Sequence, residues 1–136
     1  MGLSPPSHVL VAVNGTLMRG LALNPTLLVL NAVFLRDATT EPSYRLWSID
    51  DRHPAMVRVT TGGAEVAVEV WSVPAAAVAC ILVNEPDGLT LGKVRLADGS
   101  VVLGVLGEPA ACEGQKEITA FGGWRAYMTA RTNGPL

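Results

Sequence analysis

The chain has 136 residues, 49% of them hydrophobic and 16% charged, with a formal net charge of −2. That balance supplies enough apolar surface for one compact core and excludes an intrinsically disordered chain. Its ten basic and twelve acidic residues form no block of either sign, so neither nucleic acid nor a membrane surface is an expected partner.

The start of the chain lacks a basic n-region and is broken by Pro5-Pro6, and no apolar run reaches the roughly 20 residues that span a bilayer. The cytoplasm is the expected location. Cys80 and Cys112 have no CxxC or histidine-spaced partner, so they are expected to be buried thiols, and no metal or other cofactor is implied.

In chain order, residues 1–7 read as a flexible start and residues 8–13 as a buried strand. The strand runs into the glycine turn Asn14-Gly15-Thr16-Leu17-Met18-Arg19-Gly20. Residues 24–30 form a short helix with Asn24 as its cap and Pro25 in its first turn. Residues 33–39, 44–49 and 56–60 are short strands, separated by Glu41-Pro42-Ser43 and by a loop over 50–54.

Gly62-Gly63 signals a hairpin. It leads into an alternating strand over 64–73 with Val66, Val68 and Val70 on one face and Glu65, Ala67, Glu69 and Trp71 on the other. Residues 74–83 have helix composition opened by proline. A second hairpin turns at Asp98-Gly99 between strands 93–97 and 101–106, and a short helix over 122–129 presents Trp124, Arg125 and Tyr127. Residues 131–136 read as a flexible tail. The expectation is a single domain over 8–130 of the α+β class, a small curled sheet or partial barrel with flanking helices.

The turn at Gly15 carries the strongest chemical signal. A strand that ends in a glycine turn points free N–H groups at one spot, which suits a carboxylate or a developing oxyanion. Asn14, Gly15, Thr16 and Leu17 are therefore the predicted anion-binding residues; the alternative is an ordinary turn in which Gly15 supplies an unusual φ angle. Arg19 and Arg52 lie on loops from which a guanidinium can clamp a carboxylate.

Three acids are candidates for proton transfer. Glu85 and Asp87, in Asn84-Glu85-Pro86-Asp87-Gly88, follow an alkyl helix, and desolvation at an apolar edge raises a carboxyl pKa toward the range of a general acid or base. Asp87 ranks first, against the alternative of an aspartate bonding within its own surface turn. Glu69 sits mid-strand, either on a solvated face or in a functional site. His53 suits proton transfer or a bond within its own turn, and the Tyr44 hydroxyl suits an oxyanion.

These residues resemble a known family. The segment 14–20 resembles the Tyr/Phe-Gly-Thr/Ser-Leu-x-x-Gly opening of γ-glutamylcyclotransferase-like proteins. Five stretches are similar to the C-terminal domain of allophanate hydrolase and its stand-alone relatives: residues 14–24, Pro42-Ser43-Tyr44-Arg45-Leu46-Trp47, residues 68–74, Leu96-Ala97-Asp98-Gly99 and residues 118–127.

The resemblance implies the cyclotransferase-like fold, with the glycine loop holding the substrate's carboxylate or carbonyl and an acid after the second helix shuttling protons. Asp87 falls where the cyclotransferases carry a glutamate. Thr16 and Pro25 stand where the allophanate hydrolase domain carries histidines. The implied activity is metal-free acid/base chemistry on a carboxylate-bearing amide, carbamate or urea-derived compound. Two alternatives remain open: a non-catalytic anion-binding or assembly partner of an amidase, and a γ-glutamyl cyclotransferase releasing 5-oxoproline. Exposed edge strands also allow a homodimer.

Overall fold

The computed structural model describes residues 4–132. The flexibility expected of the first three and last four residues lies outside it. Its elements are β1 (His8–Val13), α1 (Asn24–Val29), β2 (Val33–Thr39), β3 (Tyr44–Ile49), β4 (His53–Arg58), β5 (Ala67–Pro74), α2 (Ala75–Asn84), β6 (Leu89–Arg95), β7 (Val101–Gly107), α3 (Pro109–Cys112), β8 (Lys116–Glu117), a 3-10 turn (Thr119–Phe121) and α4 (Trp124–Thr132). Residues 131 and 132 close α4 rather than starting a tail.

Two sheets carry the fold, one of five strands in the order β2-β5-β1-β7-β6 and one of three in the order β4-β3-β8. They curl over a common core without closing a barrel. β1 lies at the centre of the larger sheet, antiparallel to β5 and parallel to β7. A strand with neighbours on both sides and packing on both faces needs an uninterrupted apolar run, which Val9 to Val13 provides. Val11, Val13, Leu27, Leu46, Met56 and Val70 are fully buried in the shared core.

The Asp98-Gly99 turn closes the β6–β7 hairpin as expected, with Gly99 at φ +90°. Gly62-Gly63 does not make a hairpin. The strands before and after it belong to different sheets, and the glycines instead let the chain cross the start of β3. A Cβ on Gly63 would lie 2.7 Å from the Ser43 backbone, and Ala64 exchanges backbone bonds with Tyr44.

β4 also begins earlier than expected, at His53. Asp50 and Asp51 both adopt left-handed φ (52° and 56°), and Arg52 N donates to Ile49 O at 2.9 Å, so that the loop 50–52 pairs Ile49 with His53. Pro54 is tolerated because β4 is an edge strand. Of the two cysteines, Cys112 is buried as expected but Cys80 is exposed on α2. No helix among the described residues is long and apolar enough to cross a membrane.

Candidate functional site

β1 delivers the glycine loop to one end of the sheet, where the N-terminal end of β4 and the C-terminal end of α2 meet it. Val13, Asn14, Gly15, Thr16, Leu17, His53, Pro54, Glu85, Leu89 and Val105 enclose a cavity of about 20 Å³. That is room for one water-sized group.

The loop is held by its own polar groups. Asn14 is buried and its Nδ2 donates to the Val105 carbonyl at 2.9 Å. Gly15 O accepts from Met18 N at 3.0 Å, and Thr16 O accepts from Leu23 N at 2.9 Å. Leu17 O accepts from Nδ2 of the buried Asn24 at 2.9 Å. The N–H groups of Gly15, Thr16 and Leu17 meet no acceptor among the described residues. Three carbonyls are thus satisfied while three neighbouring donors are left for something else.

Gly15 is needed for contact rather than for φ. Its φ is not positive, and a Cβ there would lie 2.5 Å from Cδ of Pro54. Asn24 is a residue that the sequence reading placed wrongly. It is the first residue inside α1, whose cap position is Leu23, and its side chain reaches back to the loop instead of capping the helix.

Glu85 is the acid at this cavity. α2 ends at Asn84, and Glu85 turns extended (ψ 153°), which leaves its half-buried side chain at the cavity wall. Burial pushes its carboxyl up from the ordinary range. No donor among the described residues bonds it. Asp87, ranked first from sequence, is exposed and does not line the cavity. The tight turn in which Leu89 N donates to Pro86 O faces it outward. Of the two acids in this loop, Glu85 is the one that meets the cavity.

His53 also lines the cavity. Its Nδ1 lies 3.2 Å from the Pro54 carbonyl. Since a carbonyl only accepts, Nδ1 carries the proton there, and in the neutral ring Nε2 is left as an acceptor. Tyr44 and Arg52 stay apart from this group. Tyr44 is fully buried, its hydroxyl accepting from Arg95 N at 3.0 Å, so it is a core residue and not an oxyanion donor. Arg52 is exposed in the β3–β4 turn and contributes nothing to the wall.

Glu69 lies in a second, different environment. It shares a face with Trp71 as its spacing requires, but that face is covered and Glu69 is 2% exposed. Its carboxylate accepts from Arg19 N (2.9 Å), Arg19 Nε (3.1 Å), Trp71 Nε1 (3.1 Å) and Arg125 Nη2 (3.3 Å). Arg125 Nη2 also donates to Arg19 O at 2.9 Å. The Arg19 guanidinium bonds Asp37 at 2.8 Å and stacks on Phe34, 3.6 Å from the ring centroid. Arg19 therefore continues the glycine loop in sequence while its charge is committed to Glu69 and Asp37. Among the described residues, no cluster of three His, Cys, Asp or Glu side chains is placed to hold a metal ion.

The chain as a whole is similar to known proteins. A family described as the allophanate hydrolase C-terminal domain matches residues 9–129. A crystal structure of a uropathogenic E. coli-specific protein is 54% identical with a TM-score of 0.89, covering 91% of this chain and 98% of that one. Kluyveromyces lactis allophanate hydrolase is 30% identical with a TM-score of 0.85, over 90% of this chain and 21% of that one.

Urea amidolyase of Saccharomyces cerevisiae is 29% identical over 131 residues, 91% of this chain but only 7% of that protein's length. The fold alone is shared with an AIG2-like protein of Mus musculus, at 19% identity and a TM-score of 0.59. The expected γ-glutamylcyclotransferase-like fold is thus the observed one. With its matched span running from β1 into α4, the chain belongs to the allophanate hydrolase C-terminal domain family.

Proposed function

We propose that the protein is a small-molecule enzyme that uses acid/base chemistry on a carboxylate-bearing amide, carbamate or urea-derived compound, with the glycine loop and Glu85 as its working parts. The observation that carries this reading is the juxtaposition of three unbonded N–H groups with a half-buried carboxyl raised by desolvation. In a protein interior such donors favour an oxyanion, and a carboxyl raised toward neutrality gives and takes protons efficiently. At about 20 Å³ the cavity takes one oxygen of the substrate, and the remainder lies outside it.

For loss of carbon dioxide from an N-carboxylate, the amides hold the carboxylate that is retained. Glu85 gives its proton to the nitrogen as the C–N pair returns to that atom, and carbon dioxide departs. Glu85 then regains its proton from solvent, and His53 Nε2 is an acceptor at the same cavity. The names of the relatives, allophanate hydrolase and urea amidolyase, favour this substrate class.

The test is release of carbon dioxide and ammonia from carbamates and ureido acids. Glu85→Gln is expected to lower the rate about 10²- to 10⁴-fold, and Asp87→Asn to leave it unchanged. Equal rates in wild type and Glu85→Gln sink the reading. Release of 5-oxoproline from a γ-glutamyl dipeptide points to the cyclotransferase alternative instead.

A second reading is a non-catalytic anion-binding partner of an amidase. Thr16 and Pro25, in place of the two histidines, favour it, as does the small share of the larger relatives that this chain spans. It predicts that small anions protect the fold without being turned over.

A further inference from the structure

A larger concavity lies on the other side of the glycine loop. It has a volume of about 1010 Å³ and runs between α4 and the β2–β5 edge, with Met18 of the loop at one end. This is the size range of small-molecule sites. Ala67, Val68, Phe121 and Ala126 give it a mainly apolar wall, and the large side chain of Phe121 is 40% exposed.

The polar end of this groove is prearranged. Glu69, buried and bonded by four N–H donors, ties the Arg125 guanidinium in place through Nη2, which the Arg19 carbonyl holds as well. Arg125 remains half-exposed, and its Nε and Nη1 have no partner among the described residues. The acid at 2.8 Å from Arg19 is Asp37, whereas Arg125 shares Glu69 at 3.3 Å and has no acid of its own. A guanidinium fixed at one nitrogen with free donors on the others, beside an apolar wall, is complementary to a carboxylate attached to an apolar body.

We infer that this groove is a binding site for an apolar-bodied carboxylate, with Arg125 as its anchor and Glu69 as the residue that positions the anchor. The site is distinct from the glycine-loop cavity and does not depend on the function proposed there. Arg19, Arg125, Glu69 and Asp37 sum to zero charge, so the attraction is directional rather than a long-range field.

The test is a calorimetric and ¹H–¹⁵N NMR titration of the full chain with 3-phenylpropionate and with its neutral amide. The carboxylate is expected to bind about tenfold more tightly than the amide, the value of a charge-assisted bond at a half-exposed site, and to shift the resonances of residues 121–126 and the Arg125 Nε–H. Arg125→Met should abolish the preference for the carboxylate. Ala126→Trp, which fills the groove while keeping the arginine in the sequence, should abolish binding of both probes. Glu85→Gln should leave both affinities unchanged, which separates this site from the proposed active site. Equal affinity for acid and amide, no binding by either, or shifts centred on residues 15–17 would overturn the inference.

Discussion

Glu85 and Glu69 sit on opposite sides of the same loop, in opposite circumstances. Glu85 is half-buried among apolar groups with no donor to its carboxylate among the described residues, whereas Glu69 is fully buried and accepts four N–H bonds. Burial alone does not decide what an acid does. The hydrogen-bond supply decides whether a buried carboxyl is free to exchange protons or is a fixed part of the scaffold.

Substitution separates the two with opposite signs. The largest effect is the activity loss proposed for Glu85→Gln, and the same variant sharpens the contrast in a second way. A carboxyl whose folded pKa is raised contributes stability that is fully present below its unfolded pKa and lost as pH rises through the folded value. Glu85 therefore costs stability at neutral pH, and Glu85→Gln is expected to raise the melting temperature at pH 7 but not at pH 3. An unchanged or lower melting temperature at pH 7 would break the comparison.

Glu69→Ala should destabilise the fold by about 3 kcal/mol, because it orphans the indole N–H of Trp71 and loosens both arginines. Glu69→Gln should recover part of that loss, since an amide oxygen still accepts from Arg19 N or Trp71. Urea unfolding measures both.

Next comes Gly15→Ala, expected to cost about 1–3 kcal/mol because its methyl overlaps the Pro54 ring. Its backbone φ needs no glycine, so the penalty should shrink in a Pro54→Ala background. Persistence of the full penalty in that double variant would show that contact is not the reason for glycine.

The smallest effect concerns Asp51, which accepts from Ser48 Oγ and the Tyr127 hydroxyl, each at 2.6 Å, and joins the β3–β4 turn to α4. The bond from Ser48, then that from Tyr127, holds its carboxyl below the usual range. A lowered folded pKa gives stability present above the unfolded pKa and lost as pH falls through the folded one. Asp51→Asn should lower stability modestly at pH 7 and flatten the acid limb of the stability–pH curve below about pH 4, so that variant and wild type converge in acid. A limb that keeps its slope in this variant would remove Asp51 from that role.

Much of the architecture was legible locally. β1 showed itself as an apolar run, α2 as an alanine-rich stretch opened by Pro74, and the β6–β7 hairpin through Asp98-Gly99, because each is encoded within a few neighbouring residues. Gly62-Gly63 misled for the complementary reason. A turn signal states that the chain bends and is silent on which strands then pair. The two-residue β8 and the 3-10 turn after it carry no periodicity long enough to read.

The surroundings of the glycine loop were legible in part. An acid after α2 near the glycine loop was foreseen, but Glu85 and Asp87 are two residues apart, and only the extended backbone at Glu85 determines which of them meets the cavity. Tyr44 looked like an available hydroxyl until its ring proved to be at the centre of the core.

By itself the sequence determined the element types, the glycine turn that ends β1, the family likeness and the shared face of Glu69 and Trp71, all of which follow from short-range periodicity and residue chemistry. Tertiary structure alone decided that β4 and β5 part into different sheets, that Glu69 is roofed by α4, and that one acid of a pair turns inward. Those outcomes depend on contacts between residues as far as 106 positions apart, as Arg19 and Arg125 are, and side-chain burial and hydrogen-bond supply exist only once such distant segments have met.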